Sequence, residues 1–179
     1  MRTLAYSSVV LLALVPACGG GGRYGYAHEY SNVDGEDAYA RRVVDASYEE
    51  VRRARLEDQA FIGWFGVVIE PPVTEGAVTT LVLSLRAHQD RHLCSTGSSD
   101  SCRVTVSERE IGRFTAHVHE RPEDAAEGTL RLAVGSLVRV YGRSVGNDAS
   151  DFPIIDAEWY RHWPAHYFVT TSAAASMRR

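Results

Sequence analysis

Two histidine pairs, three cysteines and one aromatic run are the residues of this chain whose types and spacing can do chemistry. His117 and His119 stand two apart in the alternating stretch GRFTAHVHE. On a strand both rings point to one side and can ligate one ion, with further ligands drawn from Glu120 or a neighbouring strand. The other reading is a pair of exposed histidines on a polar face, and no metal or other cofactor is assigned. His88 and His92 in HQDRHLC are four apart, a spacing that shares a face only on a helix. Here they leave a strand for a loop and read as solvated loop histidines. The run WYRHWPAHYF, Trp159 to Phe168, gathers aromatic rings and arginine around Pro164. Arg161 and Trp163 either stack a sugar ring or a base, or belong to a barrel plug in which Trp159 and Trp163 fill the end and Arg161 makes an ion pair.

The cysteines depend on the compartment, which the first residues address. The chain opens MRTLAYSSVVLLALVPAC, with one arginine, an apolar run from Val9 to Val15 and small Ala17 before Cys18. That run is far short of the ~20 residues that span a bilayer, so residues 1–17 read as a secretory signal peptide. The ending LVPAC resembles the bacterial lipoprotein signal, in which the cysteine becomes the first mature residue and carries the lipid. Cys18 is therefore the expected lipidation site, and palmitate-type chains there pass the two-signal threshold for stable anchoring. VPA also fits an ordinary cleavage site that leaves Cys18 unmodified. Gly19 in place of aspartate leans, by resemblance to enteric-type sorting, toward the outer membrane.

An exported chain folds where disulfides persist. Cys94 and Cys102 bracket seven residues, among them Ser95, Gly97 and Ser98, which let the two sulfurs meet in a disulfide. So short a loop yields roughly 2 to 3 kcal/mol in the entropic picture. The spacing is wider than the paired cysteines of zinc modules and is not the C-x-x-C of redox pairs.

Composition narrows the function classes. All 19 basic residues among the 179 are arginine, which excludes a lysine-bearing phosphate loop, a Schiff-base lysine and a lysine general base. The net charge of -4, with arginines scattered among acids, argues against a nucleic-acid partner. There is no G-x-S-x-G elbow and no H-E-x-x-H, and catalysis is not expected.

The elements that must position these residues divide the chain into a lipidated cysteine with a flexible tether over 18–34, a domain over 35–170 and a disordered tail over 171–179. From Glu36 to Leu56, Ala40, Val43, Val44, Tyr48 and Val51 recur at helical spacing, predicting an amphipathic helix with a break near Asp45 to Ser47. FIGWFGVVIE predicts a long buried strand bent at Gly63 and Gly66. TTLVLSLR predicts a second, with Leu81, Leu83 and Leu85 on one face. GRFTAHVHE predicts a third, with Phe114, Ala116 and Val118 inward and Arg113, Thr115, His117 and His119 outward. PEDAAEGTLRL suits a short helix, and SLVRVYG and FPIIDAEWYRHW supply two more strands. The fold class is thus mainly β: an OB-like five-stranded barrel with an N-terminal helix and a short helix between strands three and four.

Trp64 to Val68 (WFGVV), Gly112 to Phe114 (GRF), Val138 to Gly142 (VRVYG), Phe152 to Ala157 (FPIIDA) and Trp163 follow one another in an order that resembles the Slp family of starvation-inducible outer-membrane lipoproteins. The likeness runs from about Ser47 to Pro164, behind a lipoprotein-like signal. It implies an OB-like barrel tethered to the outer membrane and tied to envelope integrity under stress. The expected role is structural or interactive, with the membrane engaged through Cys18 and an envelope protein or glycan as partner. The alternative is a binding module that holds a glycan or peptide on the face of strands two and three, drawing on Arg113, His117, His119, Arg161 and Trp163.

Overall fold

The computed structural model describes residues 26–54, 60–94, 103–122, 124, 128 and 130–177. Cys18 and Cys102 lie outside them, as does the side chain of Cys94, so the expected lipidation and the expected disulfide fall on residues beyond the described structure. The chain is mainly β. Its strands are β1 (Tyr26–Glu29), β2 (Phe61–Val68), β3 (Val73–Glu75), β4 (Val78–His88), β5 (Arg91–Cys94), β6 (Thr105–Val118), β7 (Leu137–Asn147), β8 (Pro153–Trp163) and β9 (Val169–Thr170). Three short helices accompany them: α1 (Glu36–Ala40), α2 (Tyr48–Arg53) and α3 (Thr171–Met177).

One sheet of seven strands runs β3-β4-β2-β7-β8-β6-β9, and a further pairing of β4 with β6 closes its middle five into a ring. All ring pairings are antiparallel except β6 with β8, which is parallel. Five strands were expected; the sheet has seven, because β3 folds back on β4 as a hairpin and β9 returns along the start of β6. A separate two-stranded ribbon joins β1 to β5.

Alternation decides what fills the ring. Leu81, Leu83, Phe114, Ala116, Val118, Val138, Val140 and Ile155 are all fully buried inside it, joined by Ile62 and Val68. Gly66, one of the two glycines expected to bend β2, makes room: a Cβ there would sit 2.9 Å from the Phe114 ring. Helix α2 closes one end by burying Val51, and Tyr48 lies 6.0 Å from Trp64 while its hydroxyl donates to the Arg113 carbonyl.

The amphipathic helix expected from Glu36 to Leu56, with a break near Asp45 to Ser47, is two helices, α1 and α2, separated by residues 41–47; Leu56 lies outside the described residues. Two local forces divide it. Val44 N–H donates to the Phe61 carbonyl at 2.9 Å, drawing the chain out along β2. Ser47 then starts a new helix through a reciprocal capping box with Glu50. The described part of PEDAAEGTLRL holds turns and no helix, while residues 123, 125–127 and 129 lie outside the described set. Within the stretches expected as tether and tail, Tyr26–Glu29 form β1 against β5, and residues 171–177 form α3, whose first turn donates to Glu108 from Thr171 Oγ1 and Ser172 N.

Candidate functional site

Strands β2, β7 and β8 carry a second set of side chains on their outer face, and register places them in rows. Arg139 lies opposite Phe65 on one side and Arg161 on the other, and Leu137 lies opposite Trp163. So many rings cannot stay in water at low cost, and the segment from Tyr30 to Tyr39 covers them. Tyr30 is the wedge: its ring meets Phe65, His88 and His92 edge-on at 6.0, 5.5 and 5.4 Å. Tyr39 stacks on Trp159 at 5.9 Å.

Glu36 enters beneath this cover. Gly35, at φ +84, makes the left-handed turn that starts α1 and sends the Glu36 side chain inward. Its carboxylate has no solvent exposure. Tyr30 and Tyr141 hydroxyls donate to Oε1 at 2.6 and 2.8 Å, Arg139 donates to the same oxygen at 3.0 Å, and Val33 N–H donates to Oε2. Arg161 stands 3.5 Å from Oε2. The guanidinium of Arg139 lies 4.7 to 4.9 Å from the rings of Tyr30, Phe65 and Tyr141, and that of Arg161 lies 4.6 Å from Trp163. Burial, reinforced by the neighbouring carboxylate, raises the Tyr30 phenol to about 12 against the pull of Arg161, and burial raises Tyr141 further. Both hydroxyls are therefore fixed donors.

The second feature of this layer is His88 facing His92, with Nε2 atoms 2.9 Å apart. The solvated-loop reading is corrected: His92 is fully buried, and His88 stacks on Phe65 at 4.3 Å with 2° between planes. No helix is needed to bring them together. From His88 opposite Val106 to Leu93 opposite Arg103, one chain advances five residues and the other three, so β5 continues β4 past a two-residue bulge. Thr105 N–H donates to His92 Nδ1 at 2.9 Å, which leaves the His92 proton on Nε2 to donate to His88. Burial first, then His92 and Arg139, push the His88 pKa down to about 3, so His88 is a neutral acceptor at neutral pH.

A third cluster holds the 119–136 segment to the end of β8. His162 Nδ1 lies 2.9 Å from Asp124 Oδ1 and its Nε2 lies 3.2 Å from Ser136 Oγ. Tyr160 donates to Asp124 Oδ2 at 2.6 Å and Arg121 Nε does so at 2.9 Å. Burial would raise the Asp124 carboxyl, but the bonds from His162, Tyr160 and Arg121 outweigh it and hold the pKa at about 2. The order acid, imidazole, hydroxyl is that of acyl-transfer triads. Ser136, however, is fully buried and its Oγ accepts from Ala133 N–H at 3.1 Å. The hydroxyl is turned inward on its own loop, and the arrangement clamps that loop.

The five candidate binding residues separate. Arg113 is exposed on the outer face of β6 with its Nε 3.1 Å from Glu110, and His117 is half-buried on the same face opposite Thr80. His119 is exposed just past β6, its ring nitrogen 3.0 Å from the Ala77 carbonyl. It lines a small groove of about 160 Å³ with Arg121, Glu158, Trp159 and Tyr160. Arg161 and Trp163 belong to the other layer: Arg161 pairs with Glu36, and Trp163 packs with Phe65, Leu137 and Tyr30 on the outer wall rather than plugging the barrel. Tyr160 and Trp64 do the filling inside. Among the described residues, no three His, Cys, Asp or Glu side chains converge as metal ligands.

The residues that reading the sequence missed are Glu36, Asp124, Ser136 and Arg139. None sits in a short motif, and the long-range partners of Glu36, Asp124 and Ser136 come from β7 and β8, far along the chain. Comparison with family models, with curated proteins and with solved structures finds no match to this chain.

Proposed function

We propose that this chain is a lipid-anchored cell-envelope protein of OB type, with a structural or interaction role at the outer membrane and no catalysis, as its resemblance to the Slp lipoproteins implies. The observation that carries the reading is where the N-terminal segment goes. The chain that follows the anchor cysteine is fastened to the barrel wall by Tyr30 and by the fully buried Glu36 between Arg139 and Arg161. A domain held by its N-terminus needs such a fastening, because any pull on the anchor arrives there first. The OB assignment is supported by ring order: counting β2, β4, β6, β7 and β8 as one to five gives a closed 1-2-3-5-4-1 path, a Greek-key closure. The polar groups best placed for chemistry are committed to internal bonds.

Mass spectrometry of the mature N-terminus tests the anchor. The expected result is an acylated Cys18 as first residue, with unprocessed precursor accumulating under globomycin-type inhibition. An unmodified Cys18 overturns the anchored reading. The second reading, a binding module for a glycan or peptide, is favoured by Arg113 and His117 sharing the outer face of β4 and β6. It predicts that Arg113→Ala keeps its thermal midpoint and loses retention on immobilised peptidoglycan fragments; unchanged retention removes it.

A further inference from the structure

The anchored reading leaves open which face of the domain meets the bilayer, and the structure carries an answer that rests on that reading. We propose that the groove between the 133–136 loop and the β9–α3 segment is the surface on which the domain lies against the membrane that holds the Cys18 lipid.

The groove is shallow and apolar, about 490 Å³, and is lined by Val67, Val134, Ala165, Phe168, Val169 and Ala173 among others. Val134, which lines it, is 49% exposed, and Tyr167, which falls in sequence between the lining residues His166 and Phe168, is 48% exposed. A tyrosine beside aliphatic side chains is the composition of a membrane interface, where the ring is buried and the hydroxyl stays wet.

Charge agrees. The chain carries 23 acidic residues, yet Pro164 to Met177 contains none, and Ala133 to Val138 has no charged residue of either sign. In sequence, Arg178 and Arg179 follow directly. Glu108 reaches this region from β6 and stays ionised while accepting bonds from Thr171 and Ser172, which lower its pKa. The two segments themselves bring no carboxylate against anionic headgroups.

The chain's exit supplies the geometry. Strand β1 begins with Tyr26 opposite Cys94 and Ala27 opposite Leu93. Leu93 packs with Val169 and Ala174, at the edge of the groove. The eight residues from Cys18 to Tyr26 reach at most about 29 Å when extended. The lipid is thus tethered within about 29 Å of where β1 begins, beside this groove. A short tether also makes docking intramolecular, at an effective concentration of roughly millimolar, so a small apolar patch suffices.

The test is hydrogen exchange on the full lipidated protein in vesicles of phosphatidylethanolamine and phosphatidylglycerol, compared with a Val134→Asp, Tyr167→Asp double variant in the same vesicles. The proposal expects amides of 133–136 and 167–177 to exchange at least several-fold more slowly in the parent, with β4 and β6 amides alike in both. If the double variant loses its fold, Tyr167→Ser serves as the comparison. An acylated parent whose 133–136 and 167–177 amides match the variant overturns the docking face and leaves the anchor standing. An unmodified Cys18 in the N-terminal mass of the same sample overturns both. Protection that appears without vesicles and grows with protein concentration replaces the bilayer with a second copy of the chain.

Discussion

The inside of the ring and its outer wall at β2, β7 and β8 share strands but are built on opposite terms. Inside, Leu81, Leu83, Phe114, Val138 and Val140 meet in a mostly apolar cluster that also holds Tyr160, and stability comes from apolar area and close packing. Outside, Phe65 and Trp163 share their layer with two arginines, two histidines, the tyrosines Tyr30 and Tyr141 and a buried glutamate. Burying such charges yields little net stability, since desolvation offsets the attraction, but it makes the alternatives costly. We read the inner layer as what drives folding and the outer layer as what fixes one position of the N-terminal segment.

The largest effects separate the two. Phe114→Ala removes a fully buried ring that Gly66 was shaped around, and it should cost about 3 to 5 kcal/mol in urea unfolding. Glu36→Gln should cost about 3 kcal/mol, because it leaves two mostly buried guanidinium groups without their carboxylate. The comparison breaks on repair. A triple variant, Glu36→Leu with Arg139→Met and Arg161→Met, should recover most of the loss, whereas no charge change rescues Phe114→Ala. If the triple variant stays as unstable as Glu36→Gln, the outer charges stabilise in their own right and the contrast fails.

Acid should act on the outer layer first. His88 has its pKa lowered from 6.5 to about 3 by burial and by His92 and Arg139, so between those values the unfolded chain takes up a proton that the folded chain refuses. Its contribution is complete above pH 6.5 and declines as pH falls toward 3. Unfolding followed from pH 7 to 4 should show an uptake of about one proton in the parent that is missing in His88→Phe. Asp124 follows the same sign in a lower window: with its pKa at about 2 against 3.8, its contribution is lost only as pH falls through that range. A parent and a His88→Phe variant with equal pH slopes would show that the imidazole is not buried as neutral.

What could be read in advance follows from the same division. Strands of the ring announce themselves through period-two alternation, and Leu81, Leu83, Phe114, Ala116 and Val118 were placed inward by that alone. The outer layer gave no such signal. Glu36 is an ordinary acid in GEDAYA, and only Arg139 and Arg161, over a hundred residues on, turn it into a buried fastening. The histidine spacing misled because a two-residue bulge, which no local pattern announced, brought His88 onto His92. Arg161 forms the ion pair that one of its two readings gave it, but its neighbour Trp163 packs on the outer wall, where that reading has it plug the barrel end.

Ser136 gives the smallest effect and the sharpest question, since its hydroxyl completes an acid, imidazole, hydroxyl series without facing solvent. If the series is a clamp, Ser136→Ala removes one internal bond to His162 and the acceptor for Ala133 N–H, and should cost about 1 kcal/mol. The loss should appear as faster amide exchange across 130–136, with the ring strands unchanged, because the clamp joins a loop to an already closed barrel. The parent should not release nitrophenol from activated nitrophenyl esters faster than Ser136→Ala does. A serine-dependent burst would mean the hydroxyl reaches solvent, and this cluster would then resemble a reaction centre more closely than anything on the outer wall.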